Sequence, residues 1–443
     1  MNVSFPIKTL KNHPKGLFVL FFAELWERFS YYGMRAILVL YLVSSDKASN
    51  PGLNWSNADA LSFYGWYTAL VYIACIPGGI LSDKYLGKIN SVIIGGTFLC
   101  VGHIILSFQN IIFFYTGIIS IIIGVGLLKP NISSLVGDLY KKNDLKRDQG
   151  FTIFYIGINF GAFFSSIIVG WVGEVYGWHY GFSIAGFGMI LGQLIFIKGR
   201  KNLREKAGTY KNIINKKISL IEFDRIKVLT VSFLIIIIFW AAFEQAGGLM
   251  NLYAFEKTDR TVSWLGDFEI PASWFQSINP LLIILLGIFI SKFWIKVASN
   301  NSQISSIFKM LTGLIIMGSG FIFMFFASLE YEKNIAIYGN GYSSMHWIFL
   351  AYLFITIGEL CASPVILSFI TKLSPTRYIS TIMGLYFASV GLGNMLAGKI
   401  GQYSNSFGEK ETFIGITIFC TLVSSVIFLF LKKLNNLTHK ADI

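Results

Sequence analysis

The sequence predicts an all-α integral membrane protein with 12 transmembrane helices in two sets of six, and three observations carry that prediction. Only 13% of the 443 residues are charged and 54% are hydrophobic, whereas a soluble domain carries roughly a quarter charged residues. The apolar residues form unbroken runs, such as Ile118 to Leu128 and Leu281 to Ile290, where the strands of a transmembrane β-barrel would alternate. The longest polar interruption, 199–226, falls after the sixth run. Together these exclude one large soluble domain, a disordered chain and a secreted disulfide scaffold.

Taken in order, the apolar segments cover 17–43, 58–81, 90–108, 111–139, 149–173, 178–198, 227–255, 273–297, 304–329, 345–370, 377–402 and 411–432. Each is close to or above the roughly 20 residues that a helical span needs. The first is too long for the apolar part of a leader peptide, and no small-residue cleavage site follows it. The expected organisation is a six-helix bundle over 1–198, a basic linker over 199–226 and a second six-helix bundle over 227–443. With both termini cytoplasmic, 27 of the 36 Lys and Arg fall on the cytoplasmic side, 6 on the outer side and 3 within spans, which is the asymmetry that sets orientation. A multi-pass protein of the cell membrane is therefore expected. The net charge of +13 then reflects attraction to an anionic inner leaflet rather than to nucleic acid. The four Cys (Cys75, Cys100, Cys361, Cys420) all lie in apolar runs without CxxC spacing and read as small buried hydrophobes.

Weak repetition links the two halves. Gly124, Pro130 and Ser134 in the fourth segment give G-x5-P-x3-S, and Gly358, Pro364 and Ser368 repeat it in the tenth. With the central linker, this favours two parallel repeats.

Seven ionisable residues stand inside the spans: Glu24, Glu27, Arg28, Arg35, Lys129, Glu244 and Glu359. Each costs about 2.5–3.5 kcal/mol at a helix centre, so they must line a polar cavity or pair with one another. At about 100° per residue, Glu24, Glu27, Arg28, Tyr31 and Arg35 form one narrow stripe on the first helix. Two carboxylates beside a guanidinium in low dielectric form a coupled set that can hold or release one proton. The first half also supplies the cations Arg35 and Lys129, and the second half the anions Glu244 and Glu359. A cavity so lined suits a small zwitterion better than a sugar or a simple anion. Asn159 and Asn279 offer amides that both donate and accept, as a peptide bond requires. HExxH, GxSxG, His pairs and any His among the intramembrane charges are missing from the spans, so neither an enzyme nor a metal site is expected.

Three strings carry a family resemblance. Glu24-Leu-Trp-Glu27-Arg28-Phe-Ser-Tyr31-Tyr32-Gly33 is similar to the ExxERFxYYG motif of the proton-dependent oligopeptide transporters, within the major facilitator superfamily. Gly78-Gly-Ile-Leu-Ser-Asp83-Lys84-Tyr-Leu-Gly87-Lys88 resembles the superfamily's loop 2–3 motif, and Phe154-Tyr155-Ile-Gly-Ile-Asn159-Phe-Gly161 resembles the FYxxINxG signature. The similarity continues through Leu128-Lys129-Pro130-Asn131, Phe239-Trp240 to Glu244-Gln245 and Gly358-Glu359 to Ser363-Pro364.

The resemblance implies a major-facilitator-type 6+6 bundle that imports di- and tripeptides with protons by alternating access, as a monomer in the bilayer, without a cofactor beyond the proton gradient. It implies proton coupling by Glu24, Glu27, Arg28 and Glu244. Arg35 and Lys129 would take the peptide carboxylate, Glu359 the amine, and Asn159 and Asn279 the peptide backbone. Tyr31, Tyr32, Tyr72, Ser363 and Tyr386 would complete the binding site. Arg35 with Glu244 would close an outer gate, and Asp83, Lys84 and Lys88 would work an inner one. Two departures stand out. The polar linker cannot supply the two additional helices of many bacterial members, and Tyr386 stands where many have Trp. A relative moving nitrate or a peptide-like compound is the alternative, although nitrate would leave Glu359 without a purpose.

Overall fold

The computed structural model describes residues 13–141, 144, 146–203, 218–300, 304–339, 341–375, 378–439 and 441–442. Most of the expected linker, 204–217, and the first twelve residues lie outside the described residues. In chain order the α-helices are α1 (Lys15–Val43), α2 (Asn57–Ile73), α3 (Cys75–Leu81), α4 (Lys88–Leu106), α5 (Ile111–Asp138), α6 (Lys146–Val175), α7 (Trp178–Gly199) and α8 (Leu220–Phe243). They continue as α9 (Leu249–Lys257), α10 (Ile278–Asn300), α11 (Ser306–Tyr338), α12 (His346–Leu373), α13 (Ile379–Phe407), α14 (Glu409–Leu429) and α15 (Leu431–Leu437). Among the described residues, 11 helical stretches are long and apolar enough to cross a membrane. The remaining expected span, α1, has 29 residues; Glu24, Glu27, Arg28 and Arg35 keep it outside that composition.

Two expected spans are interrupted. The second breaks at Ala74, between α2 and α3, and then runs into a π-helical turn, Ser82–Leu86. The seventh ends its α-helix at Phe243, passes through a 3-10 turn, Glu244–Ala246, and resumes as α9. The ninth runs on to Tyr338, beyond the apolar residues, until Gly339 stops it with a positive φ of 76°. A short antiparallel hairpin, Thr261–Val262 against Phe268–Glu269, follows α9.

The chain divides into two compact units. The first comprises 13–34, Ala74–Gly173 and 179–203, and the second Arg35–Ile73, Glu174–Trp178 and the described residues from 218 onward. Within the first unit the helices meet through small residues, as membrane helices do when backbones pack closely. A Cβ on Gly95 would lie 2.6 Å from the Gly124 carbonyl, and one on Gly124 would lie 2.7 Å from that of Gly95. Gly161 of α6 likewise faces the Leu25 carbonyl of α1 at 2.3 Å, which gives the last glycine of the FYxxINxG string its reason. Pro130 deprives the Gly126 carbonyl of its helical partner, and that oxygen points at Gly78, where a Cβ would approach to 2.1 Å.

The second unit repeats the device. Gly313 of α11 and Gly358 of α12 face each other's carbonyls, at 2.6 and 2.5 Å from the missing Cβ atoms. Gly124 and Gly358, the first residues of the repeated string, therefore do the same packing work. Helix α2 lies against α13, with Gly65 and Gly398 back to back and Asn394 donating to the Thr68 carbonyl at 3.4 Å. Ser219 and Glu222 form a capping box that starts α8.

Candidate functional site

In the first unit the predicted stripe on α1 is buried. Glu24, Glu27 and Arg28 are 3%, 1% and 3% exposed. Arg28 Nε lies 3.1 Å from Glu24 Oε1 and also donates to Glu27 Oε2. One guanidinium nitrogen thus serves both acids, while Glu24 Oε2 and Glu27 Oε1 are buried without a hydrogen-bond partner. Buried carboxylate oxygens in that state are costly, and a proton on either would turn an unpaired acceptor into a donor. The Arg28 guanidinium also sits over the Tyr31 and Tyr32 rings, at 5.3 and 5.9 Å. Lys129 Nζ is 6.0 Å from the Tyr31 ring, so α5 brings its cation to the same cluster. Asn159 is buried and donates to the Tyr155 carbonyl one turn earlier at 2.9 Å.

In the second unit, Arg35 Nη1 donates to both oxygens of Glu244, at 3.0 and 3.3 Å. The Tyr64 hydroxyl donates to Glu244 Oε2 at 3.0 Å. The break in the seventh span makes this arrangement possible: Glu244 begins the 3-10 turn, and Gly247 just beyond leaves the space in which a Cβ would meet the Tyr64 hydroxyl at 2.1 Å. Carbonyls at the break find partners in Tyr352, which donates to Ala246 O at 3.1 Å, and in Gln245, which donates to Ala241 O and also reaches Ala397 O of α13. Interrupted helices of this kind are where transporter folds place charged ligands.

The remaining expected residues fall into smaller groups. Asn279 donates to Glu359 Oε2 at 2.8 Å and to Thr356 Oγ1 at 3.1 Å, so α10 and α12 hold the acid between them. Ser363, one turn on from Glu359, has a buried hydroxyl without a partner. Tyr72 lies 6.5 Å from the Trp240 ring, and Tyr386 stands on α13 beside Phe387, 5.4 Å between ring centres. Asp83 and Lys84 are exposed on the π-helical turn, whereas Lys88 donates to Asp138 at 2.7 Å.

Several participants escape a sequence reading. Tyr64 is one, since the expectation fell on Tyr72; Gly247-Gly248 was the local signal that the helix would break beside it. Glu174 is another. It accepts from the Ala272 and Ser273 amides at 2.9 Å each and lies 3.8 Å from Arg260. His103 is a third: it is fully buried in α4, where no intramembrane His was counted among the charges.

Comparison with known proteins identifies the family. The POT family model matches residues 89–230 and 223–416. The chain is 34% identical to the peptide transporter YePEPT of Yersinia enterocolitica, covering 89% of each, and 32% identical to a di-/tripeptide transporter of Lactococcus lactis subsp. cremoris, covering 96% of each. Among solved structures, it is similar to a peptide transporter POT variant in complex with alafosfalin, with a TM-score of 0.87, 32% identity and 96% of each chain covered. The match runs from end to end in fold and sequence, and the chain belongs to the POT family, the proton-dependent oligopeptide transporters, as a multi-pass helical membrane protein.

Proposed function

We propose that this protein is a proton-coupled symporter that imports di- and tripeptides by alternating access. The observation that carries the reading is the Glu24–Glu27–Arg28 cluster, whose buried carboxylate oxygens without partners offer a proton a place inside the membrane. The peptide and di-/tripeptide transporters among its relatives support the substrate class. Arg35 and Lys129 take the peptide carboxylate, Glu359 its ammonium, and Asn159 and Asn279 its backbone. Tyr31, Tyr32, Tyr72, Ser363 and Tyr386 line the side-chain pockets. Because Arg35 is held by Glu244, peptide carboxylate and Glu244 compete for one guanidinium, and a proton on Glu244 favours the peptide. Asp83, Lys84 and Lys88 act at the inner gate. The protein works as a monomer in the cell membrane, with 12 spans, cytoplasmic termini and bundles over 1–198 and 227–443. A second reading, transport of a peptide-like compound, is favoured by related structures in complex with alafosfalin and with 5-aminolevulinic acid.

The test is uptake of labelled dialanine into proteoliposomes with and without an inward proton gradient, in wild type and Glu359→Gln. Accumulation above equilibrium is expected only with the gradient. Loss of the ammonium contact should weaken dialanine by about one to two powers of ten, as for a charged hydrogen bond, and an N-acetylated dipeptide much less. Accumulation that ignores the gradient would end the proton-coupled reading, and equal weakening of both peptides would end the Glu359 assignment.

A further inference from the structure

We propose that His103 is a positioning residue that sets the rotation of α1 and so the geometry of the Glu24–Glu27–Arg28 cluster. His103 Nε2 and Ser30 Oγ are 2.6 Å apart, and both residues are buried, at 0% and 1% exposure. Ser30 lies inside the motif, two residues after Arg28, about 120° round the helix from Glu24 and about 60° from Glu27. The bond therefore grips α1 at the flank of the charges.

The other contacts on that side are poor at fixing rotation. Gly188 and Gly192 of α7 face the Phe29 ring and the Trp26 side chain, with missing Cβ atoms 2.6 and 3.0 Å away, and Gly33 of α1 faces Val169 of α6 at 2.7 Å. These contacts are steric and leave small rotations open, whereas a hydrogen bond is directional. The imidazole is also an expensive choice if packing were its only task, because its Nδ1 is buried without a hydrogen-bond partner. Leucine would fill similar space without that penalty. Gly186 of α7 lets the two helices close up at this point, with a missing Cβ 3.1 Å from His103 Cβ.

A small rotation of α1 matters because Arg28 touches both acids through one nitrogen. Turning the helix changes how that nitrogen is shared, relative to the groups that face the cluster: Tyr31 and Tyr32 on α1, Lys129 on α5 and Cys75 on α3. The hydrogen bond to Ser30 ties His103 to α1, so its influence on the cluster is through position.

This inference rests on the proposed proton coupling, and the experiment separates the two. His103→Leu, Ser30→Ala, the double variant and His103→Gln are compared in proteoliposomes for the pH of half-maximal gradient-driven dialanine uptake, and in detergent for thermal midpoint. His103→Leu and Ser30→Ala should each shift that pH by about half a unit or more, the scale on which altered charge sharing moves a titration. The double variant should shift it no further, and His103→Gln, which can still bond Ser30, should restore it. The thermal midpoints should be non-additive in the same way, a readout that stands even if wild-type uptake proves independent of the gradient. Unchanged pH profiles in both single variants, or additive thermal losses, would overturn the proposal.

Discussion

Arg28 meets its two carboxylates without leaving its own helix, whereas Arg35, two turns on, meets Glu244 across 209 residues of sequence. The first cluster needs only that α1 be helical. The second needs α1, α2 and the interrupted seventh span to be together, so under the proposed alternating access it would exist in some conformations only. Their oxygens differ accordingly. Glu24 and Glu27 each keep one oxygen without a partner, while both oxygens of Glu244 are engaged. A local cluster with spare acceptors suits carrying a proton through the cycle. A saturated, long-range cluster suits locking one arrangement.

That contrast breaks most visibly at the acids of α1. Glu24→Gln and Glu27→Gln should each lower gradient-driven uptake by at least about 100-fold, the scale of losing a proton-transfer group. Exchange of peptide at equal pH on both sides should survive, and the Arg35–Glu244 lock should be untouched. Wild-type pH dependence in both variants would remove the distinction.

Glu244→Gln should do the opposite. Removing one partner of a buried ion pair costs about 3–5 kcal/mol, so the locked arrangement should lose about two to four powers of ten in population. Labelling of a cysteine placed at Ser62, next to Lys399 in the locked arrangement, by a membrane-impermeant maleimide measures this. An unchanged labelling rate would mean that the pair is not a lock.

The smallest effect belongs to Tyr64→Phe. It removes one hydrogen bond to the same carboxylate, worth roughly 1.5–3 kcal/mol, and should raise the labelling rate less than Glu244→Gln does. Gly247→Ala, whose methyl would meet the Tyr64 hydroxyl, should resemble it and add little in the Tyr64→Phe background. Additive effects would show that Gly247 serves another contact.

The same contrast governs what a sequence reveals. Glu24, Glu27, Arg28, Tyr31 and Arg35 were legible because helical periodicity is a local property, and helix and stripe follow from the same run of residues. The repeated string was legible too, and its glycines turn out to be the reciprocal contacts Gly95–Gly124 and Gly313–Gly358. Tyr64 was not. Nothing nearby separates it from Tyr67 or Tyr72, and the choice is made by Gly247, distant in sequence. The 3-10 turn at Glu244–Ala246 was hidden because the apolar run reads through it, although two adjacent glycines follow. His103 escaped for a related reason: as a neutral-looking residue in an apolar segment, it gains meaning only through Ser30.

One consequence of Pro130 reaches beyond packing. The Gly126 carbonyl faces the Gly78 Cα–H instead of an amide, and such weak contacts polarise a carbonyl far less than an N–H does. Its stretching vibration should stand at higher frequency than that of the other helical carbonyls of α5. Isotope labelling of Gly126 alone would isolate that band. Because Gly78 belongs to the short helix that leads into the Asp83 turn, any excursion of that segment would register as a frequency change, giving an infrared gauge of its motion that needs neither a cysteine nor a bulky label.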